Sequence, residues 1–275
     1  MSLPSLGYAR ADGPSPRRRR GAICVSLAAL GALAGCTQLG PAEKESLLQA
    51  NQLYNRGDLS AACSRLDRLI ADHDSAAEIA EAYYLRGLCR AKAKQFGPAA
   101  RDFAAAVAKS KRDDLTVQAR VSLASLAFQR GDWDEAVDYY KKVLPELPPK
   151  PPKDDVLFAA GLAMQRVGKW RDATLCFSEI VQRFRDRPIA ADARRKAAWP
   201  HPYFSIQLGA YRDLNNAAQV VRDWRDKNLD ATQENLPLQG QAMWVVMAGR
   251  YRTYGEAIEA LQQVRKLAPN AYIIP

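Results

Sequence analysis

The 275-residue sequence is poor in the residues that most often carry enzyme chemistry. It has only two histidines, His73 and His201, and five cysteines with no Cys-x-x-Cys pair among them. Neither histidine has a serine or cysteine nucleophile motif beside it, and a glycine-rich phosphate loop is missing. These absences argue against zinc sites, catalytic triads and nucleotide binding. We therefore expect no metal site, no cofactor and no enzymatic activity.

Long apolar runs are missing as well. The apolar stretch over residues 21–33 is shorter than the roughly 20 residues that a membrane-spanning helix needs. It follows four arginines, Arg17 to Arg20, and ends in small residues, which is typical of a secretory signal peptide over residues 1–35.

The end of this stretch, Leu33-Ala34-Gly35-Cys36, resembles a bacterial lipobox. The resemblance implies that Cys36 is acylated after cleavage and that residues 36–45 form a lipidated N-terminus and spacer. The residue after it is Thr37 rather than aspartate, which by resemblance to lipoprotein sorting favours the outer membrane. An ordinary signal peptide or a short anchor with an incidental cysteine is the alternative.

The charge of the chain is mildly basic once the first 35 residues are set aside. The full sequence has 40 Lys+Arg against 30 Asp+Glu, and removing five arginines and one aspartate leaves 35 against 29, a net charge of +6. This balance does not indicate a nucleic-acid partner. A cell-wall polymer that carries carboxylates is one candidate for attraction, and a plainly solvated surface is the alternative.

Three cysteines remain besides Cys24 and Cys36. Cys63, Cys89 and Cys176 lack metal-ligand spacing, so we expect small buried side chains. An oxidising compartment would also permit a disulfide, and Cys63–Cys89 is the pairing to test because both residues are expected on neighbouring helices.

A repeat with a period of 37 residues organises the middle of the chain. The equivalent positions of the four copies are Gly57, Lys94, Gly131 and Gly168. In each copy, Leu, Phe or Trp follows two residues later, and small and large apolar residues then recur at the same spacing. Each copy predicts a helix, a turn and a second helix. We expect Asp58 and its equivalents to cap the second helix, and the aromatic residue to fill the joint between the two helices.

This pattern resembles the tetratricopeptide repeat. We assign residues 46–199 to about four such copies with a capping helix at the end, which predicts an α-helical solenoid. The resemblance implies a concave face that binds a protein partner, and polar residues of the first helices are candidates for it: Gln52, Arg90, Gln118 and Gln165. Solvated side chains without a binding role are the alternative reading.

The last 76 residues follow a different pattern. After Trp199-Pro200-His201-Pro202, alternating strands and helical segments follow in the order βαββαβ. Residues 204–211 and 244–251 echo each other, each ending in Gly-x-Tyr before a helix. The order predicts a small α+β domain, a four-stranded antiparallel sheet with two helices on one face.

Residues 200–275 resemble the SPOR domain, whose first strand has the pattern that Phe204 to Tyr211 fill. The family binds peptidoglycan and favours glycan strands stripped of their peptides, which accumulate at the division septum. Alternation along the strands puts Ser205 and Gln207 on the face away from the helices. Gln207 matches the family's glycan-contacting position, and Ser205, Met243 and Tyr272 are further candidates by placement.

The sequence therefore predicts an outer-membrane, periplasmic lipoprotein. It would bind peptidoglycan through residues 200–275 and a protein partner through its repeats, with a role in cell division or envelope organisation and enrichment at the septum. Two alternatives stay open. One is a peptidoglycan-modifying enzyme that the SPOR domain targets, since two distant carboxylates leave no sequence motif. The other is an assembly factor for outer-membrane proteins.

Overall fold

The computed structural model describes residues 38–238 and 241–275 and divides into two compact units, residues 1–130 and 131–275. We call these the N-terminal unit and the C-terminal unit. The predicted signal peptide and Cys36 lie outside the described residues. Among those described, no helix has the length and apolar character needed to cross a membrane.

The N-terminal unit is built from paired helices, as the repeat pattern predicts. They are α1 (Pro41–Arg56), α2 (Leu59–His73), α3 (Ile79–Lys92), α4 (Phe96–Lys109) and α5 (Asp113–Arg130). The helix α1 begins inside the segment 36–45 that we expected to be a spacer. Pro41 at the first helical position and Glu43 in the first turn both favour a helix start there.

The apolar stripes of three successive helices meet in the core of this unit. Ala50 of α1, Leu66 of α2 and Ile79 of α3 are almost completely buried in one cluster. A single amphipathic helix cannot bury its stripe alone, so stacking of neighbours supplies the missing surface.

The turns between paired helices share one backbone conformation. Gly57, Gly131 and Gly168 have φ of 86°, 84° and 76°, and Lys94 at the equivalent position of the second copy has φ of 59°. Position 94 thus keeps the left-handed turn even though it lacks the glycine that the other copies have. A side chain with a Cβ is strained in this region by roughly 1–2 kcal/mol.

Close helix packing explains the small residues at one position of the first helices. A Cβ added to Gly87 would come within 2.8 Å of the Phe103 ring, and one added to Gly161 would come within 2.6 Å of the Phe177 ring. The first copy instead pairs Ala50 with the smaller Leu66. Glycine therefore makes room for the phenylalanine ring in the second and fourth copies, whereas Ala124 occupies this position in the third copy, whose large residue is Tyr140.

The C-terminal unit starts with four more helices. They are α6 (Trp133–Val143), α7 (Lys153–Arg166), α8 (Trp170–Arg183) and α9 (Ile189–Ala197), with a short 3-10 turn at Leu144–Glu146 before the proline-rich connection. Asp154 and Asp155 lie in the first turn of α7, where negative charge is favourable. Asp154 is fully buried and accepts a 2.6 Å hydrogen bond from Arg187 Nε.

A four-stranded sheet with two helices completes this unit, in the predicted order. Its elements are β1 (Phe204–Tyr211), α10 (Leu214–Arg225), β2 (Ala231–Leu238), β3 (Gln241–Tyr251), α11 (Tyr254–Val264) and β4 (Tyr272–Ile274). The strands run in the order β2-β3-β1-β4 and all pairs are antiparallel.

The two helices cover one face of the sheet. Ile206 of β1 packs with Val264 of α11, and Val246 of β3 packs with Ala217 and Val221 of α10. Both helices start in the same way after a Gly-x-Tyr segment, because Asp213 and Thr253 accept hydrogen bonds from the backbone N–H groups of Asn216 and Glu256. The sequence echo therefore encodes two equivalent strand-to-helix connections.

Replacing Lys94 by glycine should stabilise the N-terminal unit. We expect Lys94→Gly to raise the free energy of unfolding by about 1 kcal/mol, because glycine adopts a positive φ without strain. Urea unfolding followed by circular dichroism would measure the change. Lys94→Ala is the matched control, since it removes the same exposed charge but keeps the Cβ. An equal gain in both variants would contradict an explanation based on backbone strain.

Candidate functional site

The sheet face opposite the two helices is the first candidate surface, and we call it the outer face. The register places Gln207 of β1 directly opposite Met247 of β3 on one side and Tyr272 of β4 on the other. Residues directly opposite in antiparallel strands share a face, so Tyr272 belongs to the outer face. The sequence had left its side open because it depended on the register of β4.

Ser205 is on this face but is not available to a ligand. Its side chain is almost fully buried, and its hydroxyl lies 3.1 Å from the carbonyl oxygen of Ala248 and 2.8 Å from that of Gly249. The structure therefore corrects its placement as an accessible glycan contact. The register of β1 against β3 shifts between Phe204 and Ile206, and the Ser205 hydroxyl contacts the β3 backbone at that shift.

Gln207 lies on the outer face as predicted, but only 6% of it is exposed. Its neighbours belong to an apolar cluster centred on Leu236, Val245 and Met247, with Ala210, Met243 and Ile274 at its margin. The amide of Gln207 makes no hydrogen bond with another residue of the described chain. It is thus a polar group held inside a mostly apolar patch.

The connection before β1 covers this patch. We call residues 199–203 the covering segment. The indole of Trp199 packs against the apolar cluster, and its Nε1 donates a 3.0 Å hydrogen bond to the Tyr203 carbonyl oxygen. His201 Nε2 lies 2.6 Å from Glu234 Oε2 on β2, and the His201 ring stacks on Tyr203. The sequence marked these residues as a linker and gave no sign that they would lie on the sheet.

Met243 and Tyr272 remain reachable at the margins of the outer face. Met243 is partly buried beside the cluster, whereas Tyr272 keeps 46% of its surface exposed. The reachable part of the outer face thus combines the Tyr272 ring, directly opposite Gln207, with the Met243 thioether, four residues along β3 from Met247.

The four candidates on the helical repeats fall into two groups. Gln52 and Gln118 are exposed on α1 and α5. Gln165 is only 3% exposed, so its expected place on an open surface is wrong. Position 165 lies in the last turn of α7, among the buried residues of that helix.

Arg90 is also not a free binding group. Its guanidinium contacts Asp102 at 2.8 Å and Asp67 at 3.1 Å, and Arg86 contacts the same two carboxylates. Asp102 is buried, so this network neutralises a carboxylate that would otherwise be costly inside the fold. The spacing of Arg86 and Arg90, one helical turn apart, was the signal in the sequence for a shared partner.

The aromatic residues of the third and fourth turns contact the sheet domain. Trp133 lies edge-on to Tyr254 with ring centroids 5.6 Å apart, and Trp170 packs on Phe204 at 4.7 Å. The Trp170 Nε1 donates a 3.1 Å hydrogen bond to the carbonyl oxygen of Arg252. We had expected these rings to fill the joints between paired helices, and the sequence of a single repeat could not show that a second domain packs there.

A buried amine adds to this contact. Lys196 Nζ of α9 donates a 2.8 Å hydrogen bond to the carbonyl oxygen of Pro275. Burial, together with the nearby positive charges of Arg166 and Arg195, lowers the pKa of Lys196 to about 8. The helical and sheet parts of the C-terminal unit are therefore joined by apolar, aromatic and polar contacts together.

Two of the cysteines lie next to each other. Cys63 on α2 and Cys89 on α3 are free thiols, on neighbouring helices as expected. Burial, together with the neighbouring Cys63 thiol, raises the pKa of Cys89 to about 12. Both side chains pack in the core of the N-terminal unit, which is the role expected of small buried residues.

Comparison with known families identifies both parts of the chain. The SPOR domain family matches residues 200–275, and the tetratricopeptide repeat family matches residues 47–114 and 95–151. A comparison with curated protein sequences gave no significant match.

One solved structure supports the helical fold. A tetratricopeptide repeat protein from Parabacteroides merdae ATCC 43184 has a TM-score of 0.50 at 16% sequence identity, and the match covers 57% of this chain and 59% of that protein. YrrB, described as a TPR protein with an unusual peptide-binding site, has a TM-score of 0.45 at 19% identity over 55% of this chain and 72% of YrrB. This chain thus spans less than two thirds of the first protein's length, and identities this low show the fold alone.

The family assignments agree with the architecture, since paired helices occupy the first matched region and a βαββαβ sheet domain the second. Both families are binding domains. The SPOR domain suggests a periplasmic protein associated with peptidoglycan, and the repeats suggest protein interaction. The chain therefore contains tetratricopeptide repeats and a C-terminal SPOR domain.

Proposed function

We propose that this protein is an outer-membrane lipoprotein that binds peptide-stripped peptidoglycan through its SPOR domain and a protein partner through its repeats. The observation that carries the proposal is the match of residues 200–275 to the SPOR family, on a sheet whose outer face holds Gln207 and Tyr272. It acts by binding alone, and division or envelope organisation is the process it serves.

The outer face has the chemistry that a glycan requires. An amide can donate to and accept from sugar hydroxyl and N-acetyl groups, and an aromatic ring offers a flat apolar surface to a sugar ring. Gln207 supplies the amide, Tyr272 supplies apolar contact beside it, and Met243 supplies apolar contact farther along β3. Ser205 has no direct role in this proposal, because its hydroxyl is already held by backbone carbonyl oxygens.

Glycan binding at Gln207 requires the first part of the covering segment, Trp199 to His201, to move away from the outer face. The indole of Trp199 and the pair of His201 and Glu234 hold the segment on the outer face. The apparent affinity of a site that is open in only a fraction of molecules is reduced by that fraction. The closed arrangement thus corresponds to a weakly binding state of the domain.

The proposal also includes a lipid anchor at Cys36 and a protein partner bound by the repeats. The lipobox resemblance places acyl chains on Cys36, and more than one chain makes membrane attachment stable. The repeats would present exposed polar side chains, among them Gln52 and Gln118, to a partner protein. A membrane anchor and a wall-binding domain in one chain raise the effective concentration of each weak contact.

Sedimentation with isolated sacculi tests the wall-binding part. We expect the full chain, purified in a non-ionic detergent, to pellet with amidase-treated sacculi more strongly than with untreated ones. Gln207→Ala should weaken this binding about tenfold, because the amide hydrogen bonds to the glycan are lost. Gln262→Ala, an exposed glutamine on α11, is the matched control and should bind like the unchanged protein.

Two outcomes of this experiment would contradict the proposal. Negligible pelleting with both kinds of sacculi would refute wall binding. Release of soluble glycan fragments from the same sacculi would refute action by binding alone and favour the targeted-enzyme alternative.

The cover on the outer face gives a second prediction. Trp199→Ala should raise the affinity for amidase-treated sacculi about tenfold, which corresponds to about 1.4 kcal/mol of covering contact removed. Leu214→Ala removes an exposed apolar side chain on α10, away from the outer face, and should leave the affinity unchanged. Weaker binding by Trp199→Ala, in a protein that still unfolds cooperatively, would show that the indole helps to hold the glycan rather than to cover the site.

The anchor is tested by lipid labelling in cells. We expect the protein to incorporate radiolabelled palmitate and to fractionate with the outer membrane, and Cys36→Ala to lose both properties because the acylated thiol is gone. Cys63→Ala is the control, since that thiol packs inside the N-terminal unit and should not affect labelling. Palmitate on the Cys36→Ala protein would rule out this position as the anchor.

A further inference from the structure

A basic cleft lies beside the start of α8 in the C-terminal unit. Its volume is about 640 Å³, a size typical of ligand sites, and its walls come from the helical repeats and from the sheet domain. The side chains that decide its character are Lys169, Trp170, Arg171, Tyr203, Arg250 and Arg252. None of these residues belongs to the apolar cluster of the outer face.

The positive charge in the cleft is largely uncompensated. Arg171, Arg250 and Arg252 are exposed, and none of them forms an ion pair with another residue in the described part of the chain. The one acid in the lining, Asp172, is already paired with Lys141 at 2.9 Å. The charge of Arg171 also contributes to lowering the pKa of Asp172, but in the described chain none of the three guanidinium groups lies within ion-pair distance of a carboxylate.

Lys169 adds a fourth basic side chain, in an exposed 3.9 Å ion pair with Asp134, at a position where the other copies have Asp or Gln. The equivalent residue is Asp58 in the first copy, where its carboxylate accepts a 3.1 Å hydrogen bond from Ala61 N, and Asp132 in the third. Lys169 makes no capping hydrogen bond, and its charge adds to the positive end of α8. The positive charge of Lys169 at the N-terminal end of α8 destabilises this helix slightly, but it would attract an anion bound beside the helix.

The cleft is held in shape by contacts that leave the guanidinium groups free. The hydrogen bond from Trp170 Nε1 to the Arg252 carbonyl oxygen fixes the backbone of one wall. The guanidinium carbon of Arg250 lies 5.5 Å from the centre of the Tyr203 ring, which orients that side chain. Arginine forks match the geometry of a carboxylate and bind it through two parallel hydrogen bonds.

We propose that this cleft binds a carboxylate of the glycan, namely the lactyl carboxylate that N-acetylmuramic acid exposes once its stem peptide is removed. The inference rests on the proposed function and adds a second contact to it. The cleft would form ion pairs with the glycan, whereas the outer face would form hydrogen bonds with its hydroxyl and N-acetyl groups. Removal of the peptide converts a neutral amide on each muramic acid into an anion. A cleft that pairs with the lactyl carboxylate itself therefore distinguishes stripped from unstripped strands, because the carboxylates of a stem peptide lie away from the sugar ring.

Chemical neutralisation of the glycan tests the proposal on the unaltered protein. Amidase-treated glycan strands would be coupled with methylamine through a carbodiimide, which turns each lactyl carboxylate into an uncharged amide. We expect the full chain in detergent to bind the neutralised strands about tenfold more weakly than the untreated ones. The difference should shrink as salt rises from 0.05 to about 0.5 M, because salt screens exposed charges.

Substitution in the cleft gives the complementary test. Arg171→Gln combined with Arg252→Gln should weaken binding to carboxylated strands about tenfold and remove the preference over neutralised ones. Arg185→Gln combined with Arg194→Gln, two exposed arginines elsewhere in the same unit, makes the same change in net charge and should keep the preference. Thermal unfolding of each variant would verify that the C-terminal unit is intact.

The outcomes separate this inference from the proposed function. Equal affinity for carboxylated and neutralised strands would overturn the cleft proposal and leave glycan binding in place. No binding to either strand would overturn both. Competition by inorganic phosphate as strong as that by N-acetylmuramic acid would show a general anion site and overturn the assignment to the lactyl carboxylate, and N-acetylglucosamine should not compete.

Discussion

The packing of Trp170 on Phe204 is the contact from which the rest of the C-terminal unit follows. Both rings are almost completely buried, and the indole N–H is satisfied by the Arg252 carbonyl oxygen. This contact fixes the start of α8 against β1. The contact thereby fixes both ends of the chain segment that connects α8 to β1 through α9. The last residues of this segment, from Trp199 on, lie over the outer face of the sheet. The covered amide of Gln207 and the basic cleft both result from this one junction.

Much of the architecture could be predicted from the sequence because it is encoded locally. The left-handed turns recur every 37 residues, and the βαββαβ order follows from alternating patterns and from capping residues such as Asp213 and Thr253. Even Lys94, which breaks the glycine pattern, keeps the turn, since its neighbours impose the repeat geometry. Local signals of this kind do not depend on what packs against the element.

The candidate sites were less predictable because they depend on contacts between distant segments. Strand alternation correctly put Gln207 on the outer face, but it could not show that Trp199, eight residues earlier, lies over the same face. A polar residue in a predicted helix is expected to be exposed, because its neighbours in the fold are not known from the sequence. Gln165 is instead buried. In the same way, Trp133 and Trp170 look like ordinary repeat positions until a second domain is placed beside them.

The match between Gly161 and Phe177, repeated between Gly87 and Phe103, ties each small residue to one large partner. A larger residue in either glycine position would collide with the ring unless the ring changed in the same step. Such pairs restrict the substitutions that successive generations can accept, because two changes must arise together. Across related sequences, a larger residue at Gly87 or Gly161 should therefore be accompanied by a change at Phe103 or Phe177.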